Sequence, residues 1–329
     1  MNYSIKGATM VRFHGCFRKL SATAAAAWLL TAASASAADK VRVGLAAIYP
    51  PYGTTYVAQE LGYYKEKDLD VEITQFASGP VAQEALAAGA IDVITISPPG
   101  AGVAISKGVK ERIVASTGDI SPDGWHLVVP AASPIQSMKD LAGKTVGISS
   151  KASTTDFLAL WAGRQGAVTF KTIPLGTPGI MPALKSKQID AAIVWPLVSY
   201  KSLVDGEYRS LMDFGKKMDP VLPNTWGFRN EMIDQKADVI RRWLSANSKA
   251  IRYMQANEAW TIEFLKRYTL ETDARVLKLT FDTSIKNLRP DGLMETAWME
   301  NSLRLATEGG VTMPPLNDVF APGFTPIAQ

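Results

Sequence analysis

The sequence predicts an α/β protein of two lobes, each a mostly parallel sheet with flanking helices, joined by two crossover strands that serve as a hinge. Three observations predict it. Short apolar runs alternate with helix-forming stretches from Val41 to Ala115, reading βαβαβαβ. The same grammar restarts after the turn-rich Asp119-Ile120-Ser121-Pro122-Asp123-Gly124. A further apolar stretch, Thr225-Trp226-Gly227-Phe228, is then followed by mostly helical periodicity. The expected division is a leader over 1–37, one lobe from 38–124 and 225–329, and a second lobe over 125–224.

In order, Val41 to Ala46 is an apolar run bounded by Pro50-Pro51, as suits a buried parallel strand, and a helix follows to about Leu61. Leu69 to Ile73 alternates like a strand. Ser78-Gly79-Pro80 starts a helix whose formers, Ala82 to Ala88, end at Gly89. Ile91 to Thr95 is the next strand, Pro99 to Lys107 a helix and Arg112 to Ala115 a strand. In the second lobe Trp125 to Val129 is a crossover strand and Lys144 to Ile148 a strand. Thr154 to Arg164 is helical, Thr169 to Ile173 a strand, Thr177-Pro178 a helix start, and Ala191 to Trp195 a strand. Helices over Ala237 to Asn257 and Leu293 to Thr307 cover the first lobe.

Composition narrows the function. Lys and Arg (35) exceed Asp and Glu (31) by four, and all four surplus cations lie in the first 37 residues. The balanced remainder lacks the field that nucleic-acid binding needs. The cationic start precedes an Ala-rich run, Leu20 to Ala33, too short for a comfortable membrane anchor. It reads as a secretory signal for export to a periplasm. Cleavage is expected after Ala37, with Ala35 as the competing site. Removal of the leader takes away Cys16, the only cysteine, and leaves His126 as the only histidine. Disulfides, thiol nucleophiles, Cys-ligated zinc and multi-histidine metal sites are thereby excluded, and no cofactor is expected.

Five strings, Gly62-Tyr63-Tyr64, Phe76-Ala77-Ser78-Gly79, Gly89 to Val93, Ser153-Thr154-Thr155 and Ile189 to Trp195, are each common α/β phrases. In this order and spacing the chain resembles the nitrate/sulfonate/taurine family of ABC-transporter substrate-binding proteins, within the NMT1-like superfamily, and its taurine-type branch most. The resemblance implies a type II periplasmic binding fold, a monomer that traps a ligand between its lobes. It also implies delivery to permease subunits in the inner membrane. The chain carries no Walker-type motif, so the ATPase is a separate polypeptide. Two alternatives stay beside this reading. One is a binding protein for a thiamine-precursor pyrimidine. The other is an enzyme, similar to the pyrimidine synthases of the same superfamily, which differ in carrying a Cys-rich motif and histidines.

Ser153, Thr154 and Thr155 sit between a strand and a helix, where hydroxyls and free amides make an anion site, or simply cap the helix. Ser97, after the third strand, offers a donor. Tyr49 and Tyr52, after the first, either close over an apolar part of the ligand or pack on the first helix. Trp195 is a core aromatic or a lid. Trp125, His126, Asn224 and Trp226 lie on the crossovers, His126 reading more readily as a hinge or core residue than as a ligand contact. Taurine-type members carry acidic residues where this chain has Trp125 and Asn224. The expected ligand is therefore a small sulfonate, sulfate ester or carboxylate with an apolar or aromatic body, and not an amino-sulfonate.

Overall fold

The computed structural model describes residues 37–327. The leader expected before Ala38 therefore lies, but for Ala37, outside the described residues.

Val41, Val43 and Leu45 of β1 (Asp39–Leu45) are fully buried. This strand pairs in parallel with β2 (Leu69–Gln75) on one side and β3 (Val93–Ile96) on the other. All four residues of β3 are buried, as in a strand covered on both faces. The connections are α1 (Gly53–Glu60), α2 (Gly79–Ala87) and α3 (Pro98–Ser106). Ser78 and Ser97 cap α2 and α3, each followed by proline in the first turn, where a missing N–H costs no helical bond. β4 (Glu111–Ser116) ends this run.

The chain then crosses to β5 (His126–Pro130) and builds β6 (Thr145–Ile148), α4 (Thr154–Gln165), β7 (Lys171–Pro174), α5 (Gly176–Lys185) and β8 (Ala191–Val194). α6 (Val198–Val204), β9 (Tyr208–Asp213) and α7 (Phe214–Lys217) follow. It returns through β10 (Thr225–Arg229) into α8 (Asn230–Gln235), α9 (Ala237–Ala256), α10 (Glu258–Thr269), α11 (Ala274–Thr280), α12 (Thr296–Thr307) and α13 (Leu316–Val319).

Two five-stranded sheets result, ordered β2-β1-β3-β10-β4 and β7-β6-β8-β5-β9. In each, the strand that arrives from the other sheet is the one antiparallel member. β10 runs between β3 and β4, and β5 between β8 and β9. Both shift register once, at Trp226/Gly227 and at Leu127/Val128. The periodicity of the sequence does not show β9, a half-exposed edge strand whose Tyr-Arg-Ser-Leu-Met-Asp has no clean alternation. The helix over 176–185 contains Pro182, which by pattern alone ends a helix early.

The helices after β10 pack on the first sheet. Trp243 of α9 is fully buried, edge-on to Trp226 and Phe228 with ring centroids 4.8 and 5.5 Å away. Gly124, before β5, has φ +75°, and a Cβ there would collide with the Tyr200 phenol. The turn entering the second lobe thus requires glycine on both steric and conformational grounds.

Glu111 opens β4 almost fully buried, with one carboxyl oxygen accepting from the Gln83 amide and the other unpartnered. Burial pushes its carboxyl up to about 7, against the hydrogen bond from Gln83, which lowers it. A folded-state value above the unfolded one gives stability that is complete below the unfolded value and is lost as pH rises through 7. Glu111→Gln is therefore expected to be more stable than wild type by about 1–2 kcal/mol at pH 8, with the gap closing towards pH 5. Urea unfolding at the two pH values measures it, and an equal gap at both contradicts the assignment.

Candidate ligand-binding site

The strand order brings the carboxyl ends of the parallel strands of both sheets to one cleft, the position at which open α/β sheets bind ligands. Its lining comes from the residues after β1 (Ala46, Ala47, Tyr49, Tyr52), β2 (Ser78, Gly79) and β3 (Ser97, with Thr95 and Ile96). The other lobe supplies Ser149, Ser153, Thr154 and Thr155 after β6, Thr177 after β7 and Trp195 after β8. Trp125 and Asn224 come from the two crossovers. The cleft holds about 470 Å³ of space between atoms, mouth included. The lobes are closed over it. The Thr177 N–H donates to the Ala77 carbonyl (3.1 Å) and the Trp195 indole N–H to the Ile48 carbonyl (3.3 Å). Farther out, Lys201 pairs with Glu271 at 2.9 Å and Arg164 donates to the Leu305 carbonyl.

Nine of the eleven residues singled out from the sequence line this cleft: Tyr49, Tyr52, Ser97, Trp125, Ser153, Thr154, Thr155, Trp195 and Asn224. His126 and Trp226 do not. The His126 ring meets the Ser210 hydroxyl at 2.8 Å, on the β9 side of its strand, and burial lowers its pKa. Trp226 alternates to the other face and packs between Tyr52 and Trp243. Ser78, Gly79, Ser149 and Thr177 are lining residues that the motif search did not single out. They stand at the ends of β2, β6 and β7, so the rule that pointed to Ser97 reaches them once applied to every parallel strand.

No charged side chain lines the cleft, so an anion held there must be held by hydrogen bonds. The two facing walls differ in what they offer. On the α4 side, the backbone N–H groups of Thr154 and Thr155 have no acceptor among the described residues, as the first amides of a helix must. Ser149, Ser153 and Thr155 form a buried hydroxyl cluster with O···O distances of 2.8 to 3.0 Å. Ser153 commits its hydrogen to the Ser150 carbonyl and Ser149 commits its own to Ser153, so Thr155 is the donor in its contacts with the other two hydroxyls. Asp156, in the same turn, is occupied by the Ala152 N–H and by Lys151 at 3.3 Å. Across the cleft, α3 begins Pro98-Pro99, and its first N–H, from Gly100, is taken by Ser97 Oγ. Of these two helix starts α4 is the one with free donors; the Gly79 N–H at the start of α2, which also lines the cleft, is likewise without an acceptor among the described residues.

The rest of the lining is largely rings, drawn from the first lobe (Tyr49, Tyr52), a crossover (Trp125) and the second lobe (Trp195). Tyr49 lies edge-on to Tyr52 (4.9 Å between centroids) and tilted to Trp125 (5.9 Å), which is tilted to Trp195 (6.5 Å). Their polar hydrogens turn away from the cleft. Tyr52 donates to Asn224 Oδ1 (2.8 Å), and Tyr49 to a carboxylate that the motif search passed over, Asp119 (2.8 Å). Asn224 Nδ2 donates to the same Asp119 oxygen at 3.4 Å, and the Thr117 hydroxyl to the other. Asp119 is thus one hydrogen bond behind the lining. Burial raises its pKa against the lowering effect of these donors, and burial likewise raises both tyrosines well above their ordinary value. The exception to the turned-away donors is Trp125, whose indole N–H is buried without a partner.

The NMT1/THI5-like family model matches residues 50–259. The chain belongs to the NMT1/THI5-like family. A binding protein of Brucella abortus (strain 2308) is 29% identical over 287 residues, covering 84% of this chain and 88% of its own length. Among solved structures, the alkanesulfonate-binding protein SsuA from Xanthomonas axonopodis pv. citri, bound to MOPS, superposes with TM-score 0.72. Its identity is 16%, over 88% of this chain and 96% of that one. The periplasmic aliphatic sulphonate binding protein SsuA from Escherichia coli gives TM-score 0.69 at 19% identity, covering 86% of this chain and 97% of that one. The NMT1/THI5-like chain thus has the two-lobe α/β fold of periplasmic binding proteins, as the sequence led one to expect. Among the described residues no helix is long and apolar enough to cross a membrane, and no group of metal-ligating side chains is gathered.

Proposed function

We propose that this protein is the exported solute-binding component of an ABC importer. It captures a small organic anion between its lobes and delivers it to permease subunits in the inner membrane, powered by a separate ATPase. The observation that carries the reading is the asymmetry of the closed cleft. The free amides of Thr154 and Thr155 on one side suit a sulfonate, sulfate ester or carboxylate. The rings of Tyr49, Tyr52, Trp125 and Trp195, which line the remainder, suit an apolar or aromatic body. The sulfonate proteins that share the fold are consistent with this head group. An ammonium on the body meets no reachable carboxylate oxygen, since Asp119 lies behind Tyr49 and Asn224, and its desolvation costs several kcal/mol.

The test is a thermal-shift screen of refolded mature protein against alkane- and arylsulfonates, sulfate esters, aromatic carboxylates, nitrate, taurine and hydroxymethylpyrimidine. A ligand at a hundredfold excess over its Kd adds about 2.7 kcal/mol of stability. Sulfonates with neutral bodies are expected to shift the melting point, and ethanesulfonate to bind more tightly than taurine. A shift by the pyrimidine alone replaces the anion reading with the pyrimidine one.

A further inference from the structure

The Asp119 carboxylate is half-buried and makes no ion pair among the described residues. Its partners are three uncharged donors, the hydroxyls of Thr117 and Tyr49 and the amide of Asn224. On its outer side is a second hollow, lined by Tyr49, Asp119, Asp123 and Ser284 among others, and no basic side chain lines that either. Neither side of this wall therefore supplies a cation. Two of the three donors, Tyr49 and Asn224, are themselves cleft-lining residues, so the negative charge stands one side chain away from whatever the cleft holds.

We propose that Asp119 is a specificity-determining residue: a charge behind the aromatic wall that draws the Tyr49 hydroxyl hydrogen and one Asn224 amide hydrogen to itself and rejects ligands carrying a second acid group at the end far from α4. Two effects act in the same direction. An acid group placed against Tyr49 and Asn224 finds the Tyr49 hydrogen and one of the two Asn224 amide hydrogens already committed to Asp119, so its own acceptors go under-satisfied. It also meets a like charge one side chain away, and the packed rings and amide between them screen that repulsion less than bulk water would. The first acid group, at Thr154 and Thr155, escapes both effects. The ligand class is thereby narrowed from organic anions to monoanions, held in one orientation. This inference rests on the organic-anion reading of the cleft.

The experiment compares ligands of equal size that differ in one charge: 4-carbamoylbenzoate against benzene-1,4-dicarboxylate, and 4-sulfamoylbenzenesulfonate against benzene-1,4-disulfonate. Calorimetry on the mature protein is expected to show the singly charged member binding at least tenfold more tightly. In Asp119→Asn, which keeps the side-chain shape and removes the charge, that ratio is expected to fall to within about threefold. Asp119→Ser, smaller and equally neutral, serves if the amide variant does not fold. A general loss of structure lowers both affinities together and leaves the ratio in place, so the ratio reports the charge. Parity between the members in wild type, or a ratio unchanged in the neutral variants, overturns the role of Asp119 while leaving the anion site standing. Binding of no member of either pair overturns the organic-anion reading and this inference with it.

Discussion

Trp125→Ala is expected to lower the unfolding free energy by about 3–5 kcal/mol, the usual cost of emptying a buried aromatic site. The side chain is 5% exposed, and it is the ring that joins Tyr49 to Trp195, so its loss leaves a hole between a residue of each lobe. Binding of any ligand with an apolar body falls as well, because the ring is part of the wall. Trp125→Phe separates the two roles. It keeps most of the ring area and deletes an N–H that is buried and unpartnered in the empty protein, which by itself costs about 1–3 kcal/mol. Urea unfolding of the unliganded Phe variant should therefore show little loss, or a gain, while calorimetry shows weaker binding of a sulfonate. Unchanged affinity in Trp125→Phe excludes the indole N–H as a ligand donor.

Thr154→Pro is the second large effect, about 2–3 kcal/mol on anion binding. Thr154 is the first residue of α4, where proline is well tolerated, and Ser153 before it is already extended with ψ 169°. The substitution removes one free N–H that would point at the anion, together with a long hydroxyl contact to the Pro223 carbonyl. The helix itself loses no hydrogen bond. A fall in sulfonate affinity of thirtyfold or more with a melting point within a few degrees of wild type is the expected result. Equal affinity with an unchanged melting point places the anion elsewhere. Thr155 is less suitable for this test, because its hydroxyl accepts the buried Ser149 N–H at 2.9 Å and its loss destabilises the protein directly.

The elements of this fold were legible where one physical rule governs them. Buried parallel strands such as Val93–Ile96 must be apolar throughout, and helix starts such as Ser97-Pro98-Pro99 advertise their caps. Strand β9 was not legible, because an edge strand has no periodic face to enforce. The site divides in the same way. Ser153 to Thr155 are local to one turn, so their grouping can be read from spacing. Asp119 sits in a stretch that reads as a turn, Asp-Ile-Ser-Pro-Asp-Gly, and acidic residues are ordinary in turns. Its enclosure by Tyr49 and Asn224 links positions separated by 70 and 105 residues, which no local pattern encodes. Trp226 shows the converse error: a one-residue alternation of β10 decides whether its ring faces the cleft or Trp243.

The position of β10 also governs how the molecule is assembled during synthesis. The first sheet has a gap between β3 and β4 that only residues 225–229 fill, and those residues are made after the whole of the second sheet. A nascent chain ending anywhere before residue 225 leaves β3 and β4 with open edges and Trp226 and Phe228 absent from the core. Complete folding is therefore postponed until more than half of the polypeptide exists, and the long sequence separation of the pairing slows it further.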